Sequence, residues 1–544
     1  MKVSLVTVGV VAVVLVGVSY WSGSRIEEAF RARAAEAAPF AAVEVLEYER
    51  GLFGARAKTV WKLKDTPLTF AHDIRHGSLA VPFAMGRIHS ELLYPDNFAG
   101  QKEKVRATFG DQAPLVVDSN IAWGGGHQHR FKVAGYDDVW EKQKLTVHWE
   151  GAEGEVAVGA DRCCLKGHIS FPGLALDAIS SKDNTEQVFR VKIGRATFTL
   201  DGTRSKLKAG VELPLVSASY DNGIGLYLEN LNLNLEGARS AQYRYWTGNI
   251  DFGVGKAALE SEAHKMKLVV DNYRETLQLT EEGPVLNLWH GLSLDRVSLD
   301  SPATVWLAAV DHAPASALAV DKLKLGIAFE NLDAEATDSL IGAIIKDMEH
   351  KASGADARKS GADWAMKYAK KLLSRQPAVA IRETGFGLDG AGDIRLDARL
   401  AYVGGDNPAR FNPLTDIASD LRIEMSRPLL FQALKPALIP LRMDIIRERT
   451  ADEDTAAALM ANPDAITPDD VEIQQLTLEL KNFADQLLVV LITKGWVEEQ
   501  GDKLQLSVRH AEGKLSLNGK PADVNNIVSG AAELWTSLPG WPRR

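Results

Sequence analysis

The 544-residue chain has only two cysteines, and they are adjacent: Cys163 and Cys164. Neighbouring thiols cannot staple distant segments together, so a disulfide framework is excluded, and one such pair cannot supply the two ligand pairs of a structural zinc site. Two readings of the pair stand: small packing residues near a strand, or a strained vicinal disulfide formed in an oxidising compartment. Excess positive charge is also lacking. Lys and Arg number 62 against 72 Asp and Glu, a net charge of -10, and no basic stripe is interleaved with aromatics, which argues against nucleic acid as a partner. The chain has no GxSxG nucleophile elbow, no GxxxxGK[ST] phosphate loop and no HExxH zinc helix. The expectation is therefore no enzyme, no cofactor and no metal, although a site assembled from scattered residues leaves no such mark.

Long hydrophobic runs are scarce, with one exception. From Val3 to Trp21 the only polar side chains are Ser4, Thr7, Ser19 and Tyr20. As a helix this segment would extend about 28 Å at roughly 1.5 Å per residue, close to the hydrocarbon thickness of a bilayer. The competing reading is a cleaved signal peptide, with Ser22 and Ser24 imitating its cleavage site. The run exceeds the usual signal core, and Tyr20 and Trp21 fall where an interfacial aromatic belt would lie, so an uncleaved anchor over 1–24 is expected. No later run is long enough to span, the longest being Leu487 to Ile492 (LLVVLI). The expected location is a bacterial inner membrane, crossed once, with the N-terminus cytoplasmic and the body periplasmic.

Beyond the anchor the chain is patterned. Arg25 to Ala38 (RIEEAFRARAAEAA) is rich in helix formers. In Ala55 to Leu63 (ARAKTVWKL), Ala55, Ala57, Thr59, Trp61 and Leu63 alternate with polar residues, as in a strand with one buried face, and RGLFG before it is a turn after an earlier strand around Val43 to Tyr48. Two stretches, FRVKIGRATFTLDG from Phe189 and IGLYLENLNLNLEG from Ile224, share apolar residues at relative positions 0, 2, 4, 7, 9 and 11. The three-residue step would move side chains to the other face of a strand. Either a β-bulge at Gly194 and at Glu229-Asn230 restores the face, or a tight turn there makes a hairpin of two short strands. Weaker echoes occur at Leu292 to Leu299, Val379 to Leu388 and Val471 to Leu480.

Helical stripes occur at Ser339 to His350 and Gly361 to Ser374, separated by the polar Lys351 to Ala362. Further helices are expected within Pro428 to Thr450 and Phe483 to Thr493. Lys503 to Val508 and Lys514 to Leu517 read as strands, with a turn at Asn518-Gly519. The fold class is α+β, β-dominated: an N-terminal transmembrane helix, then long antiparallel, partly bulged strands with inserted amphipathic helices. The segments are 1–24 (anchor), 25–350 (β-rich) and 363–544 (α+β).

Few residues suggest chemistry. Gly385, Gly387 and Gly390 match GxGxxG spacing, but Ile394, Leu396, Ala398 and Leu400 alternate as a strand where a dinucleotide site needs a helix. His127 and His129 would share one strand face, near enough to share a metal, yet no third ligand is local, and a solvated loop is the ordinary explanation. His72 and His76 would pair across one helical turn, which the flanking strands disfavour.

The anchor, Tyr48 to Phe53 (YERGLF), His76-Gly77 and Lys514 to Pro521 (KLSLNGKP) together resemble the YdgA-like family of bacterial inner-membrane proteins, with His-Gly-Ser here where the family pattern has His-Gly-Pro. The resemblance implies one anchor and a large periplasmic portion, and no established reaction. The function expected is a non-enzymatic envelope protein binding or transferring a lipidic ligand in a sheet groove. The alternative is a structural or assembly protein that binds other envelope proteins or a second copy. The fate of Leu226, Leu228, Leu231, Leu233 and Leu235 discriminates: an open surface favours lipid, packing beneath helices favours a scaffold.

Overall fold

A computed structural model describes residues 18–32, 42–63, 66–76, 84–93, 109–110, 112–140, 144–160, 163–182, 185–221, 223–300, 318–349, 368, 370–388, 391–405, 411–434, 471–523 and 529. Antiparallel strands dominate them. The chain gathers into two compact units, Met1–Asp221 with Leu231–Glu236, and Asn222–Asn230 with Gly237–Arg544. Lys351 to Ala362 and most of the expected membrane span, residues 3–17, lie outside the described residues. Among the described residues no helix is long and apolar enough to cross a membrane.

The first unit opens with helix α1 (18–32). Its strands are β1 (Ala42–Arg50), β2 (Gly54–Leu63), β3 (Thr66–His76), β4 (Gly86–Leu93), β5 (Leu115–Ile121), β6 (His127–Val133), β7 (Tyr136–Trp140), β8 (Leu145–Trp149), β9 (Ala152–Val158), β10 (Cys164–Phe171), β11 (Leu174–Lys182), β12 (Thr185–Ile193), β13 (Ala196–Thr203) and β14 (Lys206–Tyr220). Pairing runs β1–β2–β3–β4–β5–β6–β9–β10–β13–β14, and β14 continues through β12, β11 and β8 to β7.

This odd order has a simple cause. Leu174 faces Ile193 and Phe171 faces Ala196, so two residues intervene on each strand and the register is unchanged across the gap. Thus β10 with β11, and β12 with β13, are single long strands interrupted once. The same holds for β6 with β7 and β8 with β9, because Val133 faces Ala152 while Tyr136 faces Trp149. The interruptions Ala134-Gly135, Glu150-Gly151, Pro172-Gly173 and Gly194-Arg195 therefore line up as one crease. The three-residue step at Gly194 is neither the bulge nor the hairpin expected from the sequence. The strands from β6/β7 to β12/β13 are interrupted at the same level and the unbroken β14 keeps one register against β12 and β13, so residues stay opposite one another without a change of partner.

The second unit repeats the device. Strand β15 (Ile224–Arg239) is divided between the units. After it come β16 (Trp246–Ser261), β17 (Met266–Glu282), β18 (Val285–Asp300), β19 (Leu318–Asp333), β20 (Ala378–Leu388), β21 (Gly392–Tyr402), β22 (Ile417–Ser426), β23 (Glu498–Gln500), β24 (Lys503–Ala511), β25 (Lys514–Leu517) and β26 (Lys520–Ala522). Consecutive strands pair from β16 to β22, β22 pairs with β24, and β24 carries both β23 and β25. Val254 faces Tyr273 and Lys256 faces Asp271, which leaves Gly255 opposite Asn272; in the same way Asp295 falls opposite Lys322. Asn230, Asn272 and Lys322 all have left-handed backbone, φ 55°, 53° and 53°. At Glu229-Asn230 β15 runs on as one strand with Asn230 left-handed, so the alternative of a hairpin there is not met. Asn tolerates this conformation because its short side chain bonds locally; Asn272 Nδ2 donates to Asp295 Oδ2 at 2.8 Å.

Among the described residues helices are few: α2 (Ala334–Glu349), α3 (Pro413–Asp416), α4 (Arg427–Leu434) and α5 (Val471–Thr493), besides helical residues at 370–374. Helix α2 starts where the buried Asp333 accepts from Ala336 N at 2.9 Å, and it covers Tyr245 and Leu286. The Val471 to Leu480 stretch, expected as a strand echo, is the first half of α5: its Gln, Glu, Leu and Lys residues favour helix, and Ile473, Leu476 and Leu480 also fit a helical spacing. Asn518-Gly519 forms the expected turn, both residues at positive φ, and Asn518 Nδ2 ties it to the Gly495 carbonyl at 3.0 Å beyond α5. Cys163 and Cys164 are not joined by a disulfide; their sulfurs lie 2.9 Å apart, beside Gly159.

The crease carries a stability test. Gly151 has φ +93°, and a Cβ there would lie 2.5 Å from the Val133 carbonyl oxygen, whereas Gly124 meets nothing within 4 Å and is not left-handed. In urea denaturation Gly151→Ala is expected to cost about 2–3 kcal/mol, and Gly124→Ala less than about 0.5 kcal/mol.

Candidate functional site beneath the N-terminal helix

The alternation of β2 and β3 places Ala55, Ala57 and Thr59, and Phe70, His72, Ile74 and His76, on one face. All seven are buried. Helix α1 lies on this face: Ile26 is wholly buried against Ala55, Ala57, Ile74 and Ile121, with Phe30, Tyr48, Met85 and Ile88 around them. Gly23 allows the close approach, since a Cβ there would sit 2.5 Å from His76 Cε1.

The two histidines share a face without the helical turn that their spacing suggests: they occur in strand β3, where a separation of four also keeps side chains on one side. His76 Nδ1 is 3.1 Å from the Ser19 carbonyl, and its buried Nε2 has no hydrogen-bond partner. Burial holds its pKa below the usual histidine range, partly opposed by the bond to Ser19. His72 lies between two hydroxyls, Nε2 2.8 Å from Thr59 Oγ1 and Nδ1 2.8 Å from Ser90 Oγ. Trp61 Nε1 donates to the same Thr59 oxygen at 3.2 Å, and Phe30 meets His72 edge-on at 5.1 Å. Desolvation lowers the His72 pKa to about 4, so the ring is neutral near pH 7, one nitrogen donating and the other accepting.

The YERGLF segment closes over the helix. Arg50 donates to Ser24 Oγ at 3.0 Å and Tyr20 OH at 3.1 Å, and its guanidinium lies 4.8 Å from the centre of the Tyr20 ring. Tyr48 has its hydroxyl buried without a partner, and burial pushes its pKa up to about 12. Two of the sequence pieces, YERGLF and His76, therefore meet at α1. The third, KLSLNGKP, belongs to the second unit, where it forms β25, β26 and their turn.

The face continues along β5 and β6. His127 and His129 share a face as expected, their rings stacked with centroids 6.1 Å apart, and His129 Nδ1 is 2.7 Å from Ser119 Oγ. They lie in strand β6 after a glycine turn. Among the described residues no group of three His, Cys, Asp or Glu side chains is placed to hold a metal. Gly385 and Gly387 lie in β20, followed by β21 and not by a helix. The arrangement beneath α1 joins neutral polar groups and aromatic rings, with the Thr59 and Ser90 hydroxyls bonded to a buried His72. What it does physically is fix α1 on the sheet.

Residues 1–525 match the family of bacterial proteins of unknown function designated DUF945, and the chain belongs to that family. The YdgA-like resemblance is consistent with this membership. No curated protein and no solved structure matches the chain.

His72 makes the packing of α1 sensitive to acid. Its folded pKa lies below the unfolded value of 6.5, so the unfolded chain takes up the proton first and stability falls as pH drops from about 6.5 towards 4, by at most about 3 kcal/mol. His72→Gln, which cannot be protonated, is expected to lose part of this slope when urea denaturation at pH 7.5 and 4.5 is compared, even if its stability at pH 7.5 is lower.

Proposed function

We propose that the chain is a non-enzymatic, membrane-anchored envelope protein, its body on the periplasmic side, whose sheet receives the acyl part of a lipid. One observation carries this reading. In the second unit, two cross-strand rows share one sheet face: Leu279–Leu288–Phe329–Val379–Leu400 is apolar throughout, and Ile250–Leu277–His290–Ile327–Ile381 is apolar except for His290, which bonds Glu275. Helix α2 covers the end at Leu279 and Leu286, but Leu277, Phe329, Val379 and Leu400 stay 37%, 37%, 42% and 51% exposed. The opposite face is mixed: Glu330 pairs with Arg382 and Arg399, beside the row Trp289–Ala328–Ala380, whose alanines are buried. A solvent-exposed apolar row of this length is what an acyl chain would cover, at about 25 cal/mol per Å² of apolar surface removed from water. Of the discriminating leucines none is buried, and Leu226 and Leu233 are exposed. An apolar face of this kind also fits a second copy of the chain.

The two occupants separate under photo-crosslinking of the membrane-embedded full chain with a diazirine fatty acid. The lipid reading predicts adducts on peptides of β17, β19, β20 and β21, reduced several-fold by Leu277→Asp with Phe329→Asp. Protein–protein crosslinks between those peptides, without lipid adducts, would support the assembly reading instead.

A further inference from the structure

We propose that the turn between β1 and β2 is a second membrane contact, with Leu52 and Phe53 entering the headgroup boundary of the bilayer beside Tyr20 and Trp21. This rests on the anchored reading of the chain. The four side chains are 43%, 39%, 57% and 52% exposed, while the residues just behind them, Ser19, Ser22, Ile26 and His76, are wholly buried. The apolar side chains at this end of the first unit therefore point away from its core.

Two independent links bring the turn to the start of α1. Arg50, two residues before Leu52, holds the Tyr20 hydroxyl and Ser24. The Phe53 carbonyl accepts from His76 N at 3.0 Å, and the ring of the same His76 meets the Ser19 carbonyl at 3.1 Å. The turn is thus fixed at the point where the apolar run from Val3 to Trp21 passes into α1. The chemistry is that of a membrane interface. Trp and Tyr favour headgroup depth, Leu and Phe lie just below it, and arginine can bond lipid phosphates. Arg25 lies 5.9 Å from the centre of the Trp21 ring and Arg50 stacks on Tyr20, so both cations stand among the aromatics. A body held at two points cannot swing freely about its anchor.

The test places single spin labels on the full chain in nanodiscs of phosphatidylethanolamine and phosphatidylglycerol, in a Cys163→Ser, Cys164→Ser background. The labelled variants are Leu52→Cys, Phe53→Cys, Val10→Cys within the apolar run, and Val139→Cys, an exposed residue of β7. Accessibility to oxygen is compared with accessibility to a water-soluble nickel chelate. The proposal predicts that labels at 52 and 53 favour oxygen several-fold over the Val139 label, as at Val10. Water-like ratios at 52 and 53 with a lipid-like Val10 would overturn the turn contact and leave the anchor standing. Labels at 52 and 53 shielded from both reagents would indicate a protein partner and overturn it equally. A water-like Val10 would remove the anchored reading and this inference with it.

Discussion

Long antiparallel strands keep one register over their whole length where neighbouring strands deviate together, and lone shifts here are local, at Val45/Glu47, Leu286/Leu288 and Ile381/Thr384. A lone bulge shifts register beside it and turns every later side chain to the other face. Here glycine-containing dipeptides line up across the first unit, and Gly255, Asn272, Asp295 and Lys322 line up across the second. From β16 to β19 partners are unchanged across the shared slip, whereas β20 shifts by one residue against β21 between Ile381 and Thr384.

Both surfaces of interest depend on that continuity. In the first unit, regular pairing from β2 to β6 builds the face that receives Ile26, His72 and His76, and so fixes α1 and the turn beside it. In the second, it extends rows of leucine, isoleucine and phenylalanine over several strands, farther than α2 covers. Under α1 the neighbouring strands satisfy His72 through Thr59 and Ser90, whereas His76 Nε2 and the Tyr48 hydroxyl are buried without a partner.

Alternation makes much of this legible. Ala55, Ala57 and Thr59 read as a buried face, and they are buried; the alternation after Gly390 rules out a dinucleotide loop, and β21 is there. The three-residue step is visible too, but one strand's pattern cannot say whether its neighbour slips with it, so Gly194 suggests a bulge or a hairpin. Val471 to Leu480 satisfies two periods at once, and its helix formers decide between them. The spacing of His72 and His76 suggests a helical pair, yet in a strand the same spacing also shares a face, and the flanking alternation is that of a strand. Which elements cover which face is a matter of long-range packing: nothing local tells that α1 comes to rest on β2 and β3.

The shared slip is open to direct measurement by cysteine-pair cross-linking with a short bifunctional reagent, again without the native thiols. Aligned slips predict that 254 joins 273 on one side of the second crease and that 257 joins 270 on the other, at similar rates. Closure of 257 with 269 or 271 in preference to 270 would mean that one strand alone is bulged, and the continuity of the apolar rows would fall with it.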